Sequence, residues 1–346
     1  MPAPREVLAA RLRKQAAGCL ELGSPFYASL LELAAEDLDR EDAVRDALAG
    51  REAEPSTSAL PLRFLAALNR LVLQGRLPEL ARAYPSSYGE GDAARAWPLF
   101  RRALVERRDE IRGLIDLPCQ TNEVGRSAAL LGGFLEVARR SRLPLRLLEV
   151  GASAGLNLRW DRYLYQSAGS AWGDPDSPVR FSDAFEAAPN FALTAEVVLR
   201  KGCDLQPVDP SSEEGALTLR SSVWPDQRER LSRLDGAIRI ASEVPVEIDA
   251  IGAADFLERE LAIQVPGTAT VVYHSVFLQY VPDAERRRMR EAVTRAAAGA
   301  AHDAPVFLLT MEPVERSPAV RFEVRLDAKL VGTSQAHGTG VRWLLR

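Results

Sequence analysis

"LRLLEVGASAGLNLRW" (145–160) decides the fold of this chain. Residues 145–150 read as a buried strand, residues 151–155 as a turn of small side chains, and Leu156 onward as the start of a helix. Strand, tight turn and helix in this order form the repeating unit of parallel α/β sheets, which bind ligands outside the carboxyl ends of their strands. Gly151 removes a side chain where the backbone must turn. The small residues at 152–155 let a ligand approach the main chain, and free N–H groups at a helix start can hold an anion.

Two chemistries use such a turn. A nicotinamide fingerprint would need glycines at 151, 153 and 156, and the sequence has Gly151, Ser153 and Leu156. What remains is Glu149-x-Gly151-x-Ser153-x-Gly155, with a carboxylate at the end of a core strand. Burying it is costly without partners, which the loop's own N–H groups or a ligand's ammonium group would supply. The competing reading is a nucleophile elbow, since Gly151-Ala152-Ser153-Ala154-Gly155 matches G-x-S-x-G. A serine hydrolase would then need an acid (Asp255, Asp303 or Glu312) followed by His337. An elbow strand normally has several strands before it, whereas almost everything upstream here reads as helix. A third reading is a glycine turn that binds nothing.

Outward from this turn, apolar residues recur every three to four positions in 5–23, 24–38, 61–75 and 96–115. Ser24-Pro25 fits an N-cap followed by proline at the first helical position. Residues 1–117 are therefore expected to form a helical cap, and 118–346 an α/β domain. In the second part, strand-like runs at 145–151, 195–204, 244–252, 268–277 and 304–312 alternate with helical patterns such as 226–241 and 283–299. That alternation implies crossover connections and a parallel sheet covered on both faces. The tail 320–345 holds two strand-like runs, expected as an antiparallel pair at the sheet edge.

The 346 residues are 47% hydrophobic and 27% charged with a formal charge of −4, which suits a globular protein and argues against a generic nucleic-acid or anionic-membrane surface. Cys19, Cys119 and Cys203 lie far apart without CxxC spacing, and His274, His302 and His337 show no HExxH. Neither set reads as a disulfide framework or a metal site. The first residues lack an apolar signal core and no run approaches a membrane span, so a reduced, cytoplasmic protein is expected.

With the turn placed on the first strand, "LLEVGASAG" (147–155) resembles the first motif of S-adenosylmethionine-dependent methyltransferases, with Ser153 in place of the middle glycine. "RKGCDLQP" (200–207) resembles the second-strand motif, whose terminal acid holds the ribose hydroxyls; Asp204 would be that residue. "VVYHSVFLQYVPDAERRRM" (271–289) resembles the fourth strand and following helix of small-molecule methyltransferases. Four segments (120–130, 147–163, 200–210 with 223–231, and 271–282) further resemble a bacterial family of unknown function, the DUF2332 family, across essentially the whole chain. These resemblances imply a Rossmann-like, methyltransferase-type doubly wound sheet, mostly parallel with an antiparallel edge strand, behind the helical domain.

Departures from the pattern are visible too. Asp204 lies well beyond the usual spacing of about twenty residues, so 170–191 must be an insertion. Asp174 and Asp176 stand nearer that spacing but in a Pro/Gly loop. The adenine-contacting acid is missing from its usual place, and Asp255 is the substitute. The NPPY-like motif of nucleic-acid amino-group methyltransferases is absent.

The resemblance implies S-adenosylmethionine as cofactor, held by Glu149, Gly151, Ala152, Ser153, Gly155, Asn157, Asp204 and Asp255. Gln120, Asn122, Glu123, Arg126 and Gln279 are candidate contacts for an unidentified small-molecule acceptor, although Thr121 or Asn122 equally fits a helix N-cap. His274, Glu312 and Tyr280 are the candidate catalytic residues, with His274 either a general base suited to neutral pH or a hydrogen-bonded core residue. Trp160 and Tyr163 read as packing residues. The expected activity is methyl transfer without a metal, which needs no protein nucleophile. The rivals are the serine hydrolase and a methyltransferase-like protein that binds without turnover.

Overall fold

The computed structural model of the chain describes residues 4–40, 42–316 and 319–345. The amphipathic repeats of the first third form α1 (Pro4–Glu21), α2 (Pro25–Arg40), α3 (Ala43–Leu48), α4 (Leu60–Leu73), the single turn α5 (Pro78–Ala81), α6 (Ala93–Glu106) and α7 (Arg108–Ile115). Their apolar faces meet in one core that fully buries Leu30, Leu31, Phe64, Leu68 and Phe100. Removing such side chains from water is the main stabilising term.

Two compact units result: one reaches Thr121 and takes back Glu213–Leu231, and the other holds Asn122–Ser212 and resumes at Ser232. The division at 117 expected from sequence thus differs in two ways: it falls a few residues later, and the helical unit is discontinuous. The returning segment is tied in by polar contacts. Asp226 accepts the Ser24 hydroxyl at 2.6 Å and the Phe26 N–H at 3.0 Å, and Asn69 donates to the Ser221 and Val223 carbonyls at 3.1 and 3.3 Å. Asp226, rather than Ser24 alone, therefore caps α2.

In the second unit α8 (Arg126–Ser141) leads to β1 (Leu145–Val150). The helix expected after the turn does not form. Leu156–Arg162 is a 3-10 segment broken at Arg159, followed by β2 (Leu164–Ser167), β3 (Ser170–Gly173), β4 (Arg180–Phe181) and β5 (Phe185–Ala187). A buried aromatic stack explains why these residues pack rather than wind on: the Trp160 ring lies parallel to Phe134 at 4.5 Å and close to Trp172 at 5.2 Å. The chain continues through β6 (Val197–Asp204), α9 (Glu213–Ser222), α10 (Arg228–Glu243), β7 (Glu247–Ala250), α11 (Ala253–Leu261), β8 (Ala269–Ser275), α12 (Asp283–Ala298), β9 (Val306–Arg316), β10 (Ala319–Leu326), β11 (Lys329–Ser334) and β12 (Val341–Trp343).

The main sheet has nine strands in the order β5-β12-β11-β10-β9-β8-β1-β6-β7, and β3-β2-β4 form a small second sheet. From β7 to β9 every pairing is parallel. The order reverses at β1: β6 and β7 build outward on one side, and β8 and β9 build outward on the other. The antiparallel pair β10–β11 is present but is not the edge, because β12 and the insertion strand β5 extend the sheet beyond it.

Side-chain alternation along β1 sorts the two faces. Leu148 and Val150 pack with Phe256 and Leu257 of α11 and with Met289 and Ala292 of α12. Glu149 points to the other face, where Tyr273 of β8 meets Phe134 of α8 edge-on.

Candidate functional site

The turn after β1 stands at the carboxyl edge, where the strand order reverses. Gly151, Ser153 and Gly155 all adopt the left-handed conformation, with φ of 69°, 53° and 65°. For serine this is a strained backbone, and such strain persists only where surroundings hold it. Here Asp204, at the end of the adjacent strand β6, accepts the Ser153 N–H at 2.9 Å and the Gln206 N–H at 3.0 Å, one with each carboxylate oxygen. The Ala152 N–H donates to the Cys203 carbonyl at 2.9 Å. Asp204 therefore shapes the turn, and its remaining lone pairs stay available at a half-buried position.

Glu149 is buried at 2% exposure and its Oε2 accepts the Tyr273 hydroxyl at 3.1 Å. Burial pushes its carboxyl up to about 8; Tyr273, Arg126 and Arg159 pull the other way, and Asp204 adds to the rise. Tyr273 is Glu149's neighbour in the β1–β8 register, so the pair follows from strand alignment. Arg159 binds the loop from behind: its guanidinium donates to the Gly155 carbonyl at 2.8 Å and the Val244 carbonyl at 2.7 Å. Desolvation lowers its affinity for its proton.

The segment 122–127 closes the same edge. Asn122 Oδ1 accepts the Leu156 N–H at 2.8 Å, Asn157 donates to the Glu123 carbonyl at 3.3 Å, and the Ser127 hydroxyl donates to Asn157 Oδ1 at 2.7 Å. Asn122 thus caps the 3-10 segment rather than its own helix. The first N–H of that segment is therefore already taken by the protein itself. Glu123 pairs with His337 Nδ1 at 3.1 Å and accepts the Gly125 N–H at 3.0 Å. A Cβ on Gly125 would stand 2.0 Å from the His337 carbonyl oxygen, so only glycine lets the His337 loop close on this segment. Arg126 donates to the Ser275 carbonyl at 3.1 Å, joining α8 to the end of β8.

At that end His274, 4% exposed, faces Glu312 of β9, with Nδ1 and Oε1 2.7 Å apart. The same oxygen accepts the Phe277 N–H at 3.0 Å. An oxygen already accepting a backbone N–H faces Nδ1 as an acceptor, so the ring proton is assigned to Nδ1 and the lone pair to Nε2. Phe277 lies over the turn: a Cβ on Gly151 would meet its ring at 2.2 Å.

The structure thus gathers Glu149, Ala152, Ser153, Gly155, Asn157, Asp204, Asn122, Glu123 and Arg126 at one carboxyl edge of the sheet, most of them tied by hydrogen bonds to the turn or to the strand ends beside it, with Phe277, beside the His274–Glu312 pair, against Gly151. It does not bring every candidate there. Asp255 engages Arg288 of α12 in an exposed ion pair at 2.7 Å, Gln279 and Tyr280 lie exposed on the loop after β8, and Gln120 belongs to the helical unit. Trp160 and Tyr163 are fully buried packing residues, and the Tyr163 hydroxyl donates to the Leu156 carbonyl at 2.5 Å. Sequence reading missed Tyr273, Arg159 and Phe277. Only Tyr273 had a signal, its place opposite Glu149 once two adjacent strands are aligned. Among the described residues no group of three or more His, Cys, Asp or Glu is arranged to hold a metal, and no helix is long and apolar enough to cross a membrane.

Fold and site together define an α/β protein whose polar centre lies at the carboxyl edge of a mostly parallel sheet, at the point where strand order reverses. Within that class, the chain belongs to DUF2332, a family described as an uncharacterized protein conserved in bacteria, whose model matches residues 9–343. No curated protein and no solved structure matches the chain.

Proposed function

We propose that the second unit binds S-adenosylmethionine at the turn after β1 and transfers its methyl group to a small molecule. The observation that carries this reading is the turn itself: three left-handed residues at the strand-order reversal, anchored by an acid from the next strand and floored by the buried carboxyl of Glu149. Open parallel sheets bind their ligands at this position.

The donor set fits such a cofactor. Asp204 has acceptor capacity left for a ribose diol, and Glu149 offers a desolvated carboxyl to an amino-acid ammonium. Bound there, the sulfonium would supply an electrophilic methyl group. The chain's own residues would do the rest. Arg126 and Glu123 would orient the acceptor, Phe277 would exclude water above Gly151, and His274, held as the Nδ1–H tautomer by Glu312, would take the acceptor's proton at Nε2.

Calorimetric titration with S-adenosylmethionine and S-adenosylhomocysteine tests this on wild type and Asp204→Asn. A side chain at Gly151 is a poor probe, because it collides with Phe277 whether or not a ligand binds. Saturable binding, weakened at least about ten-fold by Asp204→Asn, is expected. No binding by the folded wild type at about 1 mM would overturn the proposal.

One observation favours a second reading. Ser153 at φ 53° occupies the strained tip where a serine nucleophile would stand. Its expected partner His337 is paired with Glu123. Labelling of Ser153 by a fluorophosphonate would move the assignment to a hydrolase.

A further inference from the structure

One backbone outlier stands beside the turn. Val276, the first residue past β8, has a φ of 52°. A β-branched side chain crowds its own backbone there, so this conformation persists only where neighbours hold it. It turns the chain back onto the carboxyl edge. The ring of the next residue, Phe277, covers the bare Cα of Gly151 so closely that a side chain at 151 would collide with it.

The strained residue begins a short piece of chain anchored at both ends. On one side Arg126 donates to the Ser275 carbonyl at 3.1 Å, and the Val276 N–H donates to the Met311 carbonyl at 2.8 Å. On the other, Val281 is buried in the core and its carbonyl accepts Arg286 Nε at 2.8 Å. Between these anchors residues 277–280 make one turn closed on itself. The Tyr280 N–H donates to the Phe277 carbonyl and the Val281 N–H to the Leu278 carbonyl, both at 3.0 Å. Phe277 and Leu278 are half-buried, and Gln279 and Tyr280 are exposed. Glu312 latches this turn to the sheet: its Oε1 accepts the Phe277 N–H at 3.0 Å and the Leu278 N–H at 3.4 Å. The same oxygen faces His274 Nδ1 at 2.7 Å, so three groups share it.

We propose that residues 277–280 are a gate hinged at Val276, which plugs the turn in the empty protein and lifts to admit a ligand. The ring fills the space over Gly151 that the small residues of the turn leave for a ligand. The closed position stores strain at its hinge. The N–H groups of Phe277 and Leu278 reach the sheet through one shared oxygen, not through strand pairing. A plain connection from β8 to α12 would place glycine at 276 and store nothing, whereas valine brings the closed and lifted states closer in free energy. The gate rests on the function proposed above only for what it admits. The ring that shuts the empty turn is the one assigned there to exclude water, so it lifts before a ligand enters and settles again over it.

Amide hydrogen exchange on the full chain, referred to intrinsic rates, reads the gate without any ligand. The Phe277 and Leu278 amides should exchange at least about a hundred-fold faster than that of Tyr273 in β8, through local opening. Val276→Gly removes the strain of the closed state and should slow both several-fold. Glu312→Gln, which weakens the latch, should speed both. Exchange of the two amides no faster than that of Tyr273, or unchanged by Val276→Gly, would overturn the proposal. Titration with S-adenosylhomocysteine then separates the gate from its ligand. A ligand that enters only the lifted state should bind Val276→Gly more weakly by the factor by which exchange slows, and undiminished affinity would overturn the gate. If the wild type binds no S-adenosylhomocysteine while the exchange pattern holds, the gate stands and the reading of its ligand falls.

Discussion

Replacing Glu149 by Gln should remove a pH dependence that its burial imposes on stability. In the folded chain this carboxyl keeps its proton up to about pH 8, against an ordinary value of 4.5. Between those values the native state holds a proton that the unfolded chain has released, so unfolding releases it, and stability falls as pH rises. Below 4.5 both states are protonated and the carboxyl has no effect; above 8 both are ionised and the penalty is constant. The slope within the window approaches about 1.4 kcal/mol per pH unit, so from pH 5.5 to 7.5 the native state loses about 2–3 kcal/mol. Gln keeps an acceptor for the Tyr273 hydroxyl and stays neutral throughout. Urea unfolding followed by near-ultraviolet circular dichroism at both pH values measures the gap between variant and wild type. The gap in favour of Glu149→Gln should widen by about 2–3 kcal/mol between pH 5.5 and pH 7.5. A gap that does not change with pH would refute the reasoning, because a carboxyl with an ordinary affinity imposes no such slope. The same carboxyl links stability to function. A ligand ammonium placed against it would favour the ionised form, so wild type should release a proton on binding at pH 7 and Glu149→Gln should not, as titrations in buffers of different ionisation enthalpy would register.

Three further outcomes are expected. Gly151→Ala puts a Cβ 2.2 Å from the Phe277 ring at a backbone φ of 69°, which should cost about 3 kcal/mol from strain and overpacking together. Phe277→Ala in the same chain should recover at least about 1 kcal/mol of that, and strictly additive effects in the urea series would show that the ring and the turn do not touch. Asp204→Asn leaves one acceptor oxygen for the two N–H groups of Ser153 and Gln206, lowering stability by about 1–2 kcal/mol; an unchanged urea midpoint would mean the turn holds its shape without the acid. Burial raises the thiols of Cys19 to about 11 and Cys203 to about 12, and raises Cys119 too, so all three should resist iodoacetamide at pH 8 until the chain is unfolded. Rapid modification of the native protein would contradict this.

The sequence carried the strands well and the connections poorly, for a physical reason. Runs such as 145–150 and 269–275 are buried on both faces, so hydrophobicity alone marks them. The helix expected from Leu156 rested on apolar spacing that a packed 3-10 segment satisfies equally well, since Trp160 needs only to reach Phe134. The edge assigned to the tail failed because the strand that extends beyond it, β5, comes from the insertion at 170–191, and no local pattern announces a partner so far away in sequence. At the site, small residues and acids on a strand end were legible as Gly151, Ser153, Glu149 and Asp204. Arg159 was not, because its role is to donate to backbone carbonyls that only the folded turn presents.

The distribution of cost within the second unit is the strongest argument that the turn is more than a connection. Most of β1 and β8 is apolar and fully buried, which is where folding gains its free energy. At one end of those strands the chain gathers a buried carboxyl pushed up to about 8, a buried arginine, a serine in the left-handed region, and the buried polar residues Asn122, Glu123, Ser127, Asn157 and His274. Each is individually unfavourable unless its neighbours satisfy it, and the hydrogen bonds among them show that those neighbours do. A sheet that needed only to turn could do so with glycine and solvent-exposed polar residues. Strain and buried polarity concentrated where the strand order reverses are consistent with the ligand site proposed for the turn.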